Sequence, residues 1–131
     1  MQICIGNKNK QMQNILLVED QPIVLKAIEY RLKKEGYQVT ACDNGKDAQD
    51  YFDNNTYSAV LSDLLMPQAC GLELLVHIRS KKNSDTPVVI LSEISLDDKS
   101  QEAMSIGANH YMSKPFDMDE LIQTIKYFSK F

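Results

Sequence analysis

Ser58-Ala59-Val60-Leu61-Ser62-Asp63-Leu64-Leu65-Met66-Pro67 is the stretch on which the fold turns. An apolar run of strand length that closes on an acid and is followed by proline predicts a buried strand whose last side chain emerges at the edge of a sheet. Open α/β sheets carry their chemistry at the carboxyl ends of parallel strands, so Asp63 is the first candidate functional residue.

Outward from this stretch the pattern repeats. Ile15-Leu16-Leu17-Val18 is continuously apolar, as in a strand covered on both faces, and ends in Glu19-Asp20. Gln21-Pro22 opens a helix with Leu25, Ile28 and Leu32 on one face, and Glu35-Gly36 stops it. Tyr37 to Cys42 reads as a second strand, followed by an Asp43-Asn44-Gly45 turn and a more polar helix that presents Ala48, Tyr51 and Phe52. Beyond Asp63, a Gln68-Ala69-Cys70-Gly71 loop leads to a helix with Leu72, Leu75 and Ile78. Val88-Val89-Ile90-Leu91 is another apolar strand, closed by Ser92-Glu93. The helix expected from about Ser95 to Ile106 has a thin apolar face of Leu96, Ala103 and Ile106, which makes it cheap to shift. A short strand around His110-Tyr111-Met112 ends at Lys114-Pro115, and a last helix, capped by Asp117, presents Leu121, Ile125 and Phe128. Five strands alternating with five helices predict an α/β fold with a mostly parallel sheet covered on both faces. Periodicity leaves the strand order open.

The 131 residues are the size of one domain with a core of its own. A net charge of −4, with both signs dispersed, offers no basic stripe for a phosphate backbone, so direct nucleic-acid binding is not expected. Three cysteines, Cys4, Cys42 and Cys70, are widely separated and odd in number, which fits neither a zinc site nor a disulfide framework, and a reducing cytoplasm is the simplest setting. No run approaches the roughly 20 apolar residues that span a bilayer, so no membrane insertion is expected. Residues 1–13 read as a polar, flexible lead-in without a signal-peptide core, and residues 14–131 as the folded domain.

The expected strand ends bring together Glu19-Asp20, Asp63, Ser92 and Lys114. Three carboxylates in one crevice repel, which calls for protonation or a cation. An all-oxygen set of this size suits Mg²⁺, while Lys114 can balance a carboxylate or a phosphoryl oxygen and Ser92 can donate to the same group. Taken singly, these residues have ordinary readings: a helix cap for Glu19-Asp20 or Ser92, a turn for Lys114-Pro115, core filling for Tyr111. His77 and His110 have no metal-ligand neighbours and read as surface or packing residues, while Cys70, in the loop after Asp63, reads as an inert cysteine in preference to an exposed thiol near the site.

Glu19-Asp20, the string Asp63-x-x-Met66-Pro67-x-x-x-Gly71, Ser92, and Tyr111-x-x-Lys114-Pro115-Phe116, in that order over residues 14–131, resemble the receiver domain of two-component response regulators, the CheY-like family. The resemblance implies a flavodoxin-like three-layer sandwich with five parallel strands in the order 2-1-3-4-5 and five helices. It implies that Asp63 accepts a phosphoryl group from a sensor histidine kinase or histidine phosphotransfer protein. It further implies Mg²⁺ held by Asp20, Asp63 and the backbone carbonyl of Leu65, with Glu19 acting through water. Lys114 would hold a phosphoryl oxygen, Pro115 would follow a cis bond, and Ser92 and Tyr111 would form a switch pair. The fourth helix, fifth strand and fifth helix would then dock a downstream protein, with the domain acting alone and without enzymatic turnover beyond assisting its own phosphorylation and dephosphorylation.

Two features depart from that pattern or qualify it. Glu93 stands where the family has a small residue; aimed inward at about 4 Å from a phosphoryl oxygen, it would cost on the order of 4 kcal/mol at an effective dielectric of about 20, so it is expected to point outward. Leu65 and Ile94 are apolar where the family tunes water access, so slow hydrolysis of the acyl phosphate is expected. The alternatives are an unmodified binding module and a receiver piece of a longer regulator or hybrid kinase. A phosphohydrolase is disfavoured because Leu65 stands where a second acid would be needed, and a flavin-binding relative because Glu19-Asp20 would repel the phosphate.

Overall fold

The computed structural model describes residues 13–64, 71–81, 85–93 and 98–129. Strands and helices alternate as β1 (Asn14–Val18), α1 (Pro22–Lys34), β2 (Gln38–Cys42), α2 (Gly45–Asn54), β3 (Ala59–Asp63), α3 (Gly71–Arg79), β4 (Val88–Ser92), α4 (Asp98–Ile106), β5 (His110–Ser113) and α5 (Met118–Ser129). All strand pairs are parallel, in the order β2-β1-β3-β4-β5, the flavodoxin-like order implied by the resemblance.

The alternation of side chains along each strand decides which helices cover which face. Leu16, Val18, Val60 and Ile90 meet Ala48 of α2, Leu74, Leu75 and Ile78 of α3, and Ala103 of α4. On the opposite face Ile15, Leu17, Leu61, Val89 and Leu91 meet Ile28 and Leu32 of α1 and Leu121, Ile122 and Ile125 of α5. Strands β3 and β4 are buried at every position, which explains their unbroken apolar runs. Strand β2 lies at the edge, and its mixed Gln38-Val39-Thr40 start is correspondingly open.

Local signals agree with this layout. Pro22 starts α1, Asn44 caps α2 by accepting from Asp47 N–H at 2.8 Å, and Asp117 accepts from Asp119 N–H at 3.0 Å. Gly36 takes φ of +102° just past α1, as glycine does past many helices. In α2, Ala48 is buried and Phe52 packs against the core, while Tyr51 is 42% exposed. Leu74 and Ile122 join the core in addition to the expected residues. The expected start of the fourth helix, Leu96 and Ile94 lie outside the described residues, as do residues 1–12. Gln13 is already tied to the sheet, its carbonyl accepting from Gln38 N–H at 2.9 Å.

Because β2 and β3 flank β1 on opposite sides, the chain reverses direction across the sheet between β1 and β3, opening a crevice at their carboxyl ends. Gly71 shapes one wall. Its N–H donates to the Leu64 carbonyl at 2.7 Å, and a Cβ there would collide with the carbonyl oxygen of Asp63 and lie 2.9 Å from Leu64 Cα. Replacement Gly71→Ala is therefore expected to cost about 1–3 kcal/mol by overpacking. Urea denaturation measures it, and a variant as stable as the wild type would refute the close approach.

Candidate functional site

Glu19 and Asp20 leave the end of β1, Asp63 ends β3, Ser92 ends β4, and Lys114 follows β5. The structure brings all five to one end of the sheet. One carboxylate oxygen from each of Glu19, Asp20 and Asp63 lies within 4.8 Å of the other two. Lys114 Nζ reaches Glu19 Oε1 at 2.8 Å and Asp63 Oδ2 at 3.3 Å, with only 8% of its side chain exposed. Glu19 is fully buried and its second oxygen accepts from Gln21 N–H at 3.1 Å. Asp63 Oδ1 accepts from Leu64 N–H at 2.8 Å, which fixes the carboxylate and leaves Oδ2 toward Lys114.

Burial, followed by repulsion from Glu19, pushes the Asp63 carboxyl up to about 6, against the opposing pull of Lys114. Burial disfavours the charge on Lys114, but its hydrogen bond to Glu19 and the charges of Asp63 and Glu19 outweigh that and hold its ammonium above the ordinary lysine value. One ammonium pairs with two of the three carboxylates, Glu19 and Asp63. An all-oxygen donor set with this charge imbalance fits a hard divalent cation such as Mg²⁺, with Asp20, the most open of the three, and Asp63 as the available ligands. The expected Leu65 carbonyl ligand lies outside the described residues.

A cavity of about 200 Å³ is lined by Asp20, Gln21, Asp63, Ser92 and Glu93. Ser92 is buried in its wall, and Lys114 N–H donates to the Ser92 carbonyl at 2.7 Å. Glu93 is exposed at the rim, as expected, and also borders a groove of about 480 Å³ lined by Gln21, Val24, Lys114, Pro115 and Phe116. The Lys114–Pro115 peptide is cis. Tyr111 is half-buried, opposite Ile90 in the ladder, and packs against the core cluster that includes Ala103 of α4, as does Ile106.

His77 and His110, set aside in the sequence, stay apart from this crevice. His77 Nε2 lies 2.8 Å from Asp53 Oδ1, joining α3 to α2, and the His110 ring lies 6.0 Å from that of Phe128. Burial pushes the Cys42 thiol up to about 12, leaving it inert, and Cys70 lies outside the described residues. Two contributors had no side-chain signal: the backbone N–H groups of Gln21 and Leu64, which orient Glu19 and Asp63.

Comparison with known proteins places this geometry. A family model described as the response regulator receiver domain matches residues 15–126. The chain is 40% identical over 114 residues to the uncharacterized transcriptional regulatory protein YkoG of Bacillus subtilis, covering 86% of this chain and 49% of that protein. It is 37% identical over 111 residues to the cell cycle transcriptional regulator CtrA of Caulobacter vibrioides, covering 85% and 48%. The chain thus spans about half the length of these curated relatives. Among solved structures, the receiver domain of a Pseudomonas aeruginosa sensor histidine kinase, with a magnesium ion coordinated in its active site cleft, superposes with a TM-score of 0.83 at 31% identity, covering 91% of this chain and 98% of that one. The response regulator TrrA of Thermotoga maritima, in complex with Mg²⁺-BeF, gives 0.80 at 32%, covering 89% and 99%.

The raised Asp63 value has a consequence for stability. Between the ordinary aspartate value of about 3.9 and about 6 the native state holds a proton that the unfolded chain has released, so stability falls as pH rises through that interval. In chelator, Asp63→Asn is expected to melt above the wild type at pH 7, and the gap should close as the pH is lowered to about 4. Thermal melts across that range measure it; a variant less stable at pH 7 would contradict the crowding of these carboxylates.

Proposed function

As this chain belongs to the response regulator receiver domain family, we propose that Asp63 accepts a phosphoryl group from the phosphohistidine of a sensor kinase or histidine phosphotransfer protein. The observation that carries the reading is the placement of Asp63 Oδ2 at 3.3 Å from Lys114 Nζ, inside the acidic crevice at the β1/β3 switch point. A carboxylate oxygen of Asp63 attacks phosphorus and forms the P–O bond as the P–N bond breaks. The imidazole nitrogen keeps the electron pair, and with a proton on its other ring nitrogen the imidazole leaves neutral. Lys114, already beside Asp63, takes a phosphoryl oxygen as its partner in place of the carboxylate charge that is lost. Asp20 and Asp63 would hold Mg²⁺ with Glu19 behind them, and the ion supplies neutralisation of phosphoryl charge when bound. The chain performs no further turnover; it assists the making and breaking of its own acyl phosphate.

Readout follows from what lies beside the crevice. Ser92 shares its wall with Asp63 and can donate to a phosphoryl oxygen, and Tyr111, half-buried against the core, would follow toward the space that Ser92 vacates. This biases a docking surface made of α4, β5 and α5 for a downstream protein, with the domain acting on its own in the cytoplasm. No helix among the described residues is long and apolar enough to cross a membrane. The relatives' roughly twofold greater length and their names as transcriptional regulators favour a second reading, in which the same switch drives a linked transcriptional output.

Incubation with Mg²⁺ and phosphoramidate is expected to add one phosphoryl group to the wild type and none to Asp63→Asn, as read by intact mass. Lys114→Ala should slow the modification by roughly 100-fold. Equal modification of wild type and Asp63→Asn would refute the assignment. The acyl phosphate should outlast seconds when Mg²⁺ is present and no phosphatase is added, given apolar Leu65 and Ile94. A decay within seconds, followed by the same mass measurement, would contradict this.

A further inference from the structure

We propose that Glu93 is a specificity-determining residue that screens phosphodonors by charge, disfavouring dianionic acyl phosphates relative to donors with a phosphorus–nitrogen bond. This deepens the phosphoacceptor reading of Asp63 and rests on it. Glu93 is exposed, follows Ser92 at the end of β4, and forms part of the walls of both the 200 Å³ cavity over Asp63 and the adjoining 480 Å³ groove. A donor approaching Asp63 through the cavity passes the wall that Glu93 helps to form. Among the described residues no lysine or arginine forms an ion pair with it, so its charge faces solvent at the mouth. Glu19, Asp20, Asp63 and Glu93 present four carboxylates against the one ammonium of Lys114, so the mouth remains negative even with one divalent cation bound.

The two donor classes meet that field differently. An acyl phosphate such as acetyl phosphate is a dianion at neutral pH with no positive group. In a phosphoramidate-type donor a protonated nitrogen offsets part of the phosphoryl charge. In both reactions an Asp63 oxygen bonds to phosphorus while the bond to the leaving group breaks. With acetyl phosphate the electron pair leaves on acetate; with phosphoramidate it stays on nitrogen, whose protons make ammonia the product. The same covalent bond forms on Asp63, so a rim charge separates the donors by approach and placement. Charges at a rim act mainly on association and are weakened by salt, with a Debye length of about 8 Å at physiological ionic strength.

The test measures initial phosphorylation rates by intact mass for wild type, Glu93→Gln and Glu93→Ala, with acetyl phosphate and with phosphoramidate, at saturating Mg²⁺ and at low and high salt. Glu93→Gln keeps the shape of the side chain, and exposure of this position leaves folding unaffected. The expected result is an acetyl phosphate rate raised about 3–10-fold by either variant, a smaller rise with phosphoramidate, and a narrowing of the difference at high salt. Acetyl phosphate modification seen in the variants and absent from the wild type would support the same conclusion. An unchanged ratio between donors would overturn the proposal. So would a shift produced by Ala and absent with Gln, which would make the rim a matter of size. An adduct from neither donor in all three proteins would instead overturn the phosphoacceptor reading, and the proposal with it.

Discussion

The ammonium of Lys114 lies between Glu19 and Asp63 in a pocket that admits little water, and this contact ties the ends of β1, β3 and β5 together. Taking away one partner of a buried ion pair typically costs about 3–5 kcal/mol, because the groups left behind stay charged without compensation. Here compensation is incomplete from the start, since Asp20 adds a third carboxylate to the same cluster. The strand ends are therefore held close by one cation while repelling one another. A divalent ion bound there would alter that balance, and so would the phosphoryl ester proposed for Asp63, giving a local chemical event leverage over several strands at once.

The rest of the fold keeps this cluster where it is. Leu61 and Leu91 are fully buried among α1 and α5, and Val60 and Ile90 among α2, α3 and α4, so the strands that deliver Asp63 and Ser92 are packed on both faces. Cores of this kind resist small displacements, and the adaptable parts lie where strands end. The backbone N–H groups of Gln21 and Leu64 aim two of the carboxylates, and Gly71 lets the chain pass against the Asp63 carbonyl. Tyr111, opposite Ile90 in the ladder, is half-buried and packs against the core on the α2, α3 and α4 side of the sheet.

Much of this was legible in the residues themselves. Unbroken apolar runs at Ile15–Val18 and Val88–Leu91 reported strands covered on both faces, and each run's terminal polar residue marked the chemistry that follows. Strand order was not legible from periodicity, because an apolar run reports that it is covered and not by which neighbour; the order came from the family resemblance and agrees with the observed sheet. The orienting roles of Gln21 and Leu64 had no side-chain signature because they belong to the main chain. Glu93 was expected to turn outward on electrostatic grounds alone, and it lies exposed on the rim.

If groups from β1, β3 and β5 form one cation-binding pocket, a magnesium titration followed by backbone amide NMR should show it most directly. The amides of Gln21, Leu64 and Lys114 should shift together along a single saturable curve, and Asp20→Asn should abolish the response. Shifts scattered over unrelated parts of the sheet, or none at those three amides at saturating magnesium, would contradict the pocket and the chemistry built on it.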